Sequence, residues 1–162
     1  MRYLFIEPKP PNGHIFSRIQ LPRLGNILLA TILRDLGHEC RVLVEESREV
    51  TQSDIGWADV VGISATTSTS PRAYMLADRS ADAGKIVVMG GPHVTFLADE
   101  ALGHADYVVR GEGDETMPEL AEVLEGRRDP ATVLGLSFRK GGEITHTPDR
   151  PFLEDLDSLP SP

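Results

Sequence analysis

The stretch KIVVMGGPHVTFLADEAL, Lys85 to Leu102, decides how the rest of the chain is read. Ile86-Val87-Val88-Met89 is a short apolar run with no polar alternation, the pattern of a strand covered on both faces. It passes directly into Gly90-Gly91-Pro92-His93. Such an ending is poor for continued hydrogen-bonded structure and good for something lying against bare backbone.

The same alternation spreads outward in both directions. Tyr3–Ile6 reads as a first strand, followed by a long loop from Glu7 to Pro22 that holds four prolines and Asn12-Gly13. Leu24–Leu36 has apolar residues at helical spacing and Gly37 stops it. His38–Glu45 is a second strand, and Asp59–Ser64 a third, nearly all apolar. Thr66–Ser70 is a hydroxyl-rich loop, and Pro71 suits the first turn of a helix running to Ala83. After the quoted stretch, with a short helix around Ala98–Leu102, Asp106–Arg110 is a fifth strand. Gly111-Glu112-Gly113 is a turn, and Thr116–Glu125 a helix with Glu119, Glu122 and Glu125 outward. Leu134–Arg139 and Glu143–Thr147 flank Lys140-Gly141-Gly142 as a hairpin. Strands alternating with helices predict βαβ units in a doubly wound, flavodoxin-like (Rossmann-like) parallel sheet of about five strands, with a C-terminal β-hairpin. One domain, residues 1–147, is expected. Residues 148–162, with four prolines, read as a linker.

The 162 residues carry a net charge of −9, which argues against nucleic acid and against an anionic membrane surface. No apolar run approaches the roughly 18 residues of a spanning helix. The N-terminus is too soon broken for a signal peptide, so a cytoplasmic protein is expected. The single cysteine, Cys40, excludes an internal disulfide and a cysteine-based cluster, and reads as a half-buried strand residue.

In a doubly wound sheet, ligands bind beyond the carboxyl ends of the strands. That edge gathers Ser64, Thr66 and Thr67 from the third strand's loop, Gly90, Gly91, Pro92, His93 and Thr95 from the fourth, and Gly111, Glu112 and Gly113 from the fifth. Hydroxyls and bare backbone suit a large, mostly uncharged ligand. Nucleotide readings fail locally. The loop after the first strand, Glu7-Pro8-Lys9-Pro10-Pro11, is no glycine-rich dinucleotide loop, and prolines donate nothing to a phosphate. A phosphate-accepting regulator needs Asp where this chain has Ser64. A hydrolase reading of Ser64 lacks a nucleophile elbow.

Four segments in order, PRLGNILLATILRDLGHECRVL, VVGISATTSTSPRAYMLAD, VVMGGPHVTFLADEAL and ADYVVRGEGDETMPELAEVL, resemble the N-terminal cobalamin-binding domain of radical S-adenosylmethionine enzymes. The resemblance implies a corrin on the carboxyl edge of the sheet, with its dimethylbenzimidazole tail threaded between sheet and helices. Gly90 and Gly91 would leave the tail room, so that added side chains would meet the tail and spare the fold. Ser64 and Thr66 would hydrogen-bond tail or corrin amides, and Gly111-Glu112-Gly113 would frame the base. The Asp-x-His-x-x-Gly motif of methionine-synthase-like domains has no counterpart after the first strand. The expected state is therefore base-off and His-off, with neither benzimidazole nor protein histidine on cobalt. His14 lies nearest the vanished ligand position. His93 reads as a turn histidine bonded to backbone, and His38, His104 and His146 as surface residues. The resemblance further implies a missing catalytic domain with a 4Fe–4S cluster and S-adenosylmethionine, in a methyltransferase or cyclase-like parent. One cysteine cannot build that cluster, so no catalytic residue is assigned. The alternative is a free-standing flavodoxin-like sensor or interaction domain without cofactor.

Overall fold

A computed structural model describes residues 1–10 and 23–161. Seven strands form one sheet in the order β2-β1-β3-β4-β5-β6-β7. They are β1 (Arg2–Glu7), β2 (Glu39–Val44), β3 (Val60–Ser64), β4 (Ile86–Gly90), β5 (Tyr107–Val109), β6 (Leu136–Lys140) and β7 (Glu143–His146). The first five pair in parallel. The β6–β7 hairpin is antiparallel and extends the sheet beyond β5. The order therefore reverses between β1 and β3, the place where doubly wound sheets open a crevice.

Side chains alternate between two cores, as strand geometry requires. Leu4, Ile6, Val61, Ile63, Val87 and Met89 face one layer of helices. That layer holds α2 (Gln52–Trp57), α3 (Ser70–Asp82), α4 (Pro92–Phe96) and α5 (Ala98–Ala101). Tyr3, Phe5, Val60, Val88 and Val109 face the other layer. There lie α1 (Leu24–Asp35) and α6 (Thr116–Leu124). Gly37 and Gly84 follow α1 and α3 at φ +91° and +70°, the left-handed conformation that ends a helix.

Two helices go beyond the sequence reading. Helix α2 is six residues long and starts at a capping box: the Thr51 hydroxyl accepts from the Asp54 N–H at 3.2 Å, while the Asp54 carboxylate accepts from the Thr51 N–H at 2.9 Å. Helix α4 begins directly on Pro92, so the expected turn after the glycines is a first helical turn. Past β7, the segment read as a linker lies against the domain. The Pro148 carbonyl accepts from the Gly135 N–H at 2.8 Å. Arg150 donates to the Thr116 hydroxyl at 2.9 Å and to Glu115 at 2.8 Å, and also reaches Glu119.

Among the described residues no helix is long and apolar enough to cross a membrane. Cys40 is a half-buried free thiol on β2, pushed up to about 11 by burial, as an unreactive strand cysteine should be.

Candidate functional site

A cavity of about 340 Å³ opens at the carboxyl edge, on the α1–α6 side of the sheet. Phe5, Val88 and Val109 supply its sheet wall, and Leu29 and Met117 close it from the helices. Phe5 pairs in register with Gly62. A Cβ on Gly62 would stand 2.8 Å from the Phe5 ring, so the bare strand is what lets that ring lie over it.

The cavity gathers Ser64, Gly90, Gly91, Pro92, Gly111, Glu112 and Gly113 of the residues expected from sequence. Gly90 is two residues after Val88 on the same face, and a Cβ there would meet only Val109 atoms at 3.7 and 4.0 Å. Gly113 approaches Leu29 so that a Cβ would sit at 3.4 Å from its methyls. Gly91 does a different job from the one expected. Its φ is +95°, and a Cβ would lie 2.8 Å from the Ala65 carbonyl oxygen. It brings β4 into α4 while the Ala65 N–H donates to Gly90 and the His93 N–H donates to Ala65. An added side chain at Gly91 strikes the backbone of the fold itself.

Thr66, Thr67, His93 and Thr95 sit at the same edge but do not line the cavity. The Thr66 N–H donates to the Thr69 hydroxyl at 3.0 Å, closing the β3–α3 turn. His93 is buried in α4, and its Nδ1 meets the Thr67 hydroxyl at 3.3 Å, so its ring partner is a hydroxyl where backbone was expected. Thr95 stands behind the fifth-strand turn: its hydroxyl donates to the Gly91 carbonyl and accepts from the Gly111 N–H, at 3.0 and 3.1 Å. Thr67, His93 and Thr95 tie the three loops to one another, while Thr66 closes its own turn. His38, expected at the surface, is buried edge-on to Tyr3, and burial lowers its pKa. His104 stacks on Tyr74 and meets Asp78 at 2.8 Å. His146 bonds Ser137 at 2.8 Å. His14 lies outside the described residues.

The sequence reading missed what α1 and the acidic turn contribute. Arg23 precedes α1 and pairs with Glu7 at the end of β1, at 3.3 Å. Asn26 follows in the first turn of α1. Both line the cavity, and the Arg23 Nη1 and Asn26 Nδ2 atoms are buried without a hydrogen-bond partner among the described residues. Asp114 lines the opposite wall, its carboxyl raised by burial and by the neighbouring Glu112 and Glu115. The available signal was Asn26 falling among apolar residues on the buried face. Among the described residues no cluster of three or more His, Cys, Asp or Glu could hold a metal ion. The arrangement is an apolar slot with polar atoms at its rim, fit to hold a flat group by shape and a few hydrogen bonds.

A family model described as a B12 binding domain matches residues 18–121, well over half of the chain. An uncharacterized methyltransferase of Pyrococcus horikoshii is 36% identical, the match covering 94% of this chain and 36% of that protein. An anaerobic magnesium-protoporphyrin IX monomethyl ester cyclase of Synechocystis is 33% identical, over 97% of this chain and 34% of that protein. The chain thus spans about a third of the length of these curated relatives. Among solved structures, the radical S-adenosylmethionine methyltransferase TsrM of Kitasatospora setae, with cobalamin and a 4Fe–4S cluster bound, superimposes with a TM-score of 0.72 at 19% identity. That match covers 98% of this chain and 30% of TsrM. The cobalamin-dependent radical enzyme OxsB, with aqua-cobalamin and S-adenosylmethionine bound, gives 0.70 at 15% identity, over 93% of this chain and 22% of OxsB. At such identities the likeness is one of fold.

Proposed function

The chain belongs to the B12-binding domain family, and from that premise we propose that it holds cobalamin base-off and His-off, as the cofactor domain of a larger radical S-adenosylmethionine enzyme of the methyltransferase or cyclase kind. Residues 1–147 form the cofactor domain in this reading. Residues 148–162 lead towards a catalytic domain that carries the 4Fe–4S cluster and binds S-adenosylmethionine.

The observation that carries the reading is the glycine-lined slot. Gly90 and Gly113 leave the wall between the sheet and the α1–α6 layer free of side chains, and Gly62 lets the Phe5 ring lie against the sheet as an apolar part of that wall. A cavity of about 340 Å³ is small for a whole corrinoid and adequate for one heterocyclic base. The loops of Ser64, Gly91 and Gly111 would hold the corrin outside the slot. The residues present fit the group. Ser64 offers a hydroxyl at the rim, Gly111 and Gly113 let backbone approach, and Phe5 and Met117 give apolar faces to a flat ring. When bound, cobalamin supplies a cobalt centre that carries and transfers an alkyl group. The chain's own part is to bind, orient and shield. His93, which follows the Gly91 loop, belongs to the opposite helix layer, which supports a cobalt without an imidazole from the described residues.

The test is direct. The chain is mixed with hydroxocobalamin, excess is removed, and the visible spectrum is recorded. One retained cofactor per chain is expected. Reduced cob(II)alamin on the chain should then give an electron paramagnetic resonance spectrum without nitrogen superhyperfine splitting. Nitrogen triplets would end the base-off, His-off proposal, and their loss in His14→Ala would name the donor. No retained colour would return the chain to the cofactor-free sensor reading.

A further inference from the structure

We infer that Asn26 recognises the nitrogen-bearing edge of the cobalamin tail's base, an inference that rests on the cofactor reading above. Asn26 is 5% exposed, in the first turn of α1, and it lines the cavity. Its amide nitrogen finds no hydrogen-bond partner among the described residues. Nearly all buried amide groups in folded proteins are paired, and one left open weakens the fold. The acceptors that line the cavity, Ser64, Glu112 and Asp114, make no hydrogen bond to it among the described residues, and apart from Arg23, itself a donor, the rest of the lining is apolar or bare. Phe5, Leu29, Val88, Val109 and Met117 are apolar, and Gly62 presents bare strand.

The slot therefore selects a group with two apolar faces and one acceptor on its edge. A sugar would press hydroxyls against Phe5 and Met117. A wholly apolar ring would leave the Asn26 amide unpaired. A heteroaromatic base satisfies both demands. In the base-off state the benzimidazole nitrogen is released from cobalt and is free to accept, so donor and acceptor complement each other. Asn26 is then a specificity-determining residue: it favours corrinoids whose lower base carries a ring nitrogen, and it favours that nitrogen being away from cobalt.

The experiment compares three corrinoids on the chain: cobalamin, cobinamide, which lacks the nucleotide tail, and a cobamide whose base is a phenol without ring nitrogen. Asn26→Leu should weaken cobalamin about tenfold, the loss expected when one buried hydrogen bond goes unmade. Affinity for cobinamide and for the phenolic cobamide should not change. Apo Asn26→Leu should melt no lower than the unmodified chain, because the change removes an unpaired buried amide. Asn26→Asp, of the same size but an acceptor, should lose cobalamin at least as strongly. An unchanged cobalamin affinity in Asn26→Leu overturns the inference, as does an equal loss for all three corrinoids or a loss shared by the phenolic cobamide. If the unmodified chain binds none of the three, the cofactor reading itself falls and the inference with it.

Discussion

Gly90 and Gly91 are neighbours with opposite duties. Gly91 is held at φ +95° with the Ala65 carbonyl 2.8 Å from where a Cβ would stand. Gly91→Ala should cost the apo fold about 1–3 kcal/mol, from the left-handed backbone and the collision together. A melting curve without cofactor reads this directly, and an unshifted midpoint would refute it. Gly90 is ordinary strand with open space towards the cavity. Gly90→Val should melt close to the unmodified chain yet bind cobalamin tenfold more weakly or worse, since about 1.4 kcal/mol of steric conflict suffices. Equal cobalamin affinity would mean that the tail does not pass β4. That the pair was special could be read from the sequence, because glycines at the carboxyl end of a buried strand have few other reasons to be there. Which of them serves the fold could not. The sign of φ depends on how the chain turns into α4, and that turn is set by contacts with Ala65, more than twenty residues earlier.

Between elements, one ion pair joins the end of β2 to α3. The Glu45 carboxylate accepts from Arg72 Nε at 2.9 Å and Nη2 at 2.6 Å, with its side chain fully buried. Burial alone would raise its pKa, but the Arg72 guanidinium and the Val50 and Lys9 N–H groups outweigh that and hold it below the usual range. A carboxyl depressed by folding contributes stability above its unfolded value, about 4.3 for Glu. That contribution is lost as pH falls through the folded value. Melting temperature should therefore drop on acidification below about pH 4.3, and Glu45→Gln should flatten that limb. An unchanged acid limb in Glu45→Gln would show that other carboxylates carry it. Arg72→Met leaves the buried charge alone and should cost about 3 kcal/mol at neutral pH. Strands β3 and β4 were legible because a buried parallel strand has no polar alternation to confuse. Helix α2 was not, since six residues are too few to show a period and only the Thr51–Asp54 box marks them. The face of α1 was legible only in part. Its helical period ran through Leu24, Ile27, Leu28, Ala30, Thr31, Ile32 and Leu33, of which Ala30, Thr31 and Leu33 are buried, whereas Leu24 is 60% exposed and the buried Asn26 lies outside the apolar set. A polar residue on a buried face is the mark of a site, and hydrophobic periodicity is blind to it.

On the scale of the whole molecule, the sequence pointed to the carboxyl edge of the sheet, where the cavity opens, and did not say on which side of the sheet it would open. Loops at the carboxyl ends must share an edge, so Ser64, Gly90 and Gly111 came together as expected. Whether a loop residue faces α1–α6 or α3–α4 depends on helix packing, which is why Thr67, His93 and Thr95 went to the far side. The prolines after β7 follow the last strand of the sheet, yet they concealed contacts made across more than thirty residues of sequence. Arg150, with its side chain 11% exposed, binds Glu115, Thr116 and Glu119 on the approach to α6. Three residues on, the Leu153 N–H donates to Glu112, which lines the cavity, at 3.0 Å. The chain thus passes the mouth of the slot as it runs on from the sheet, and Arg150 pins it there. Arg150→Met should cost about 1–2 kcal/mol, since its partners are partly exposed and such pairs are weak singly. The sharper reading is local. Hydrogen exchange at the Leu153 amide should rise in Arg150→Met, while the amides of β3 and β4 keep the protection of the global fold. If Leu153 stays protected, Glu112 alone holds the segment and Arg150 serves only α6. If β3 loses protection too, the segment is an integral part of the domain, and a boundary at residue 147 is drawn too early.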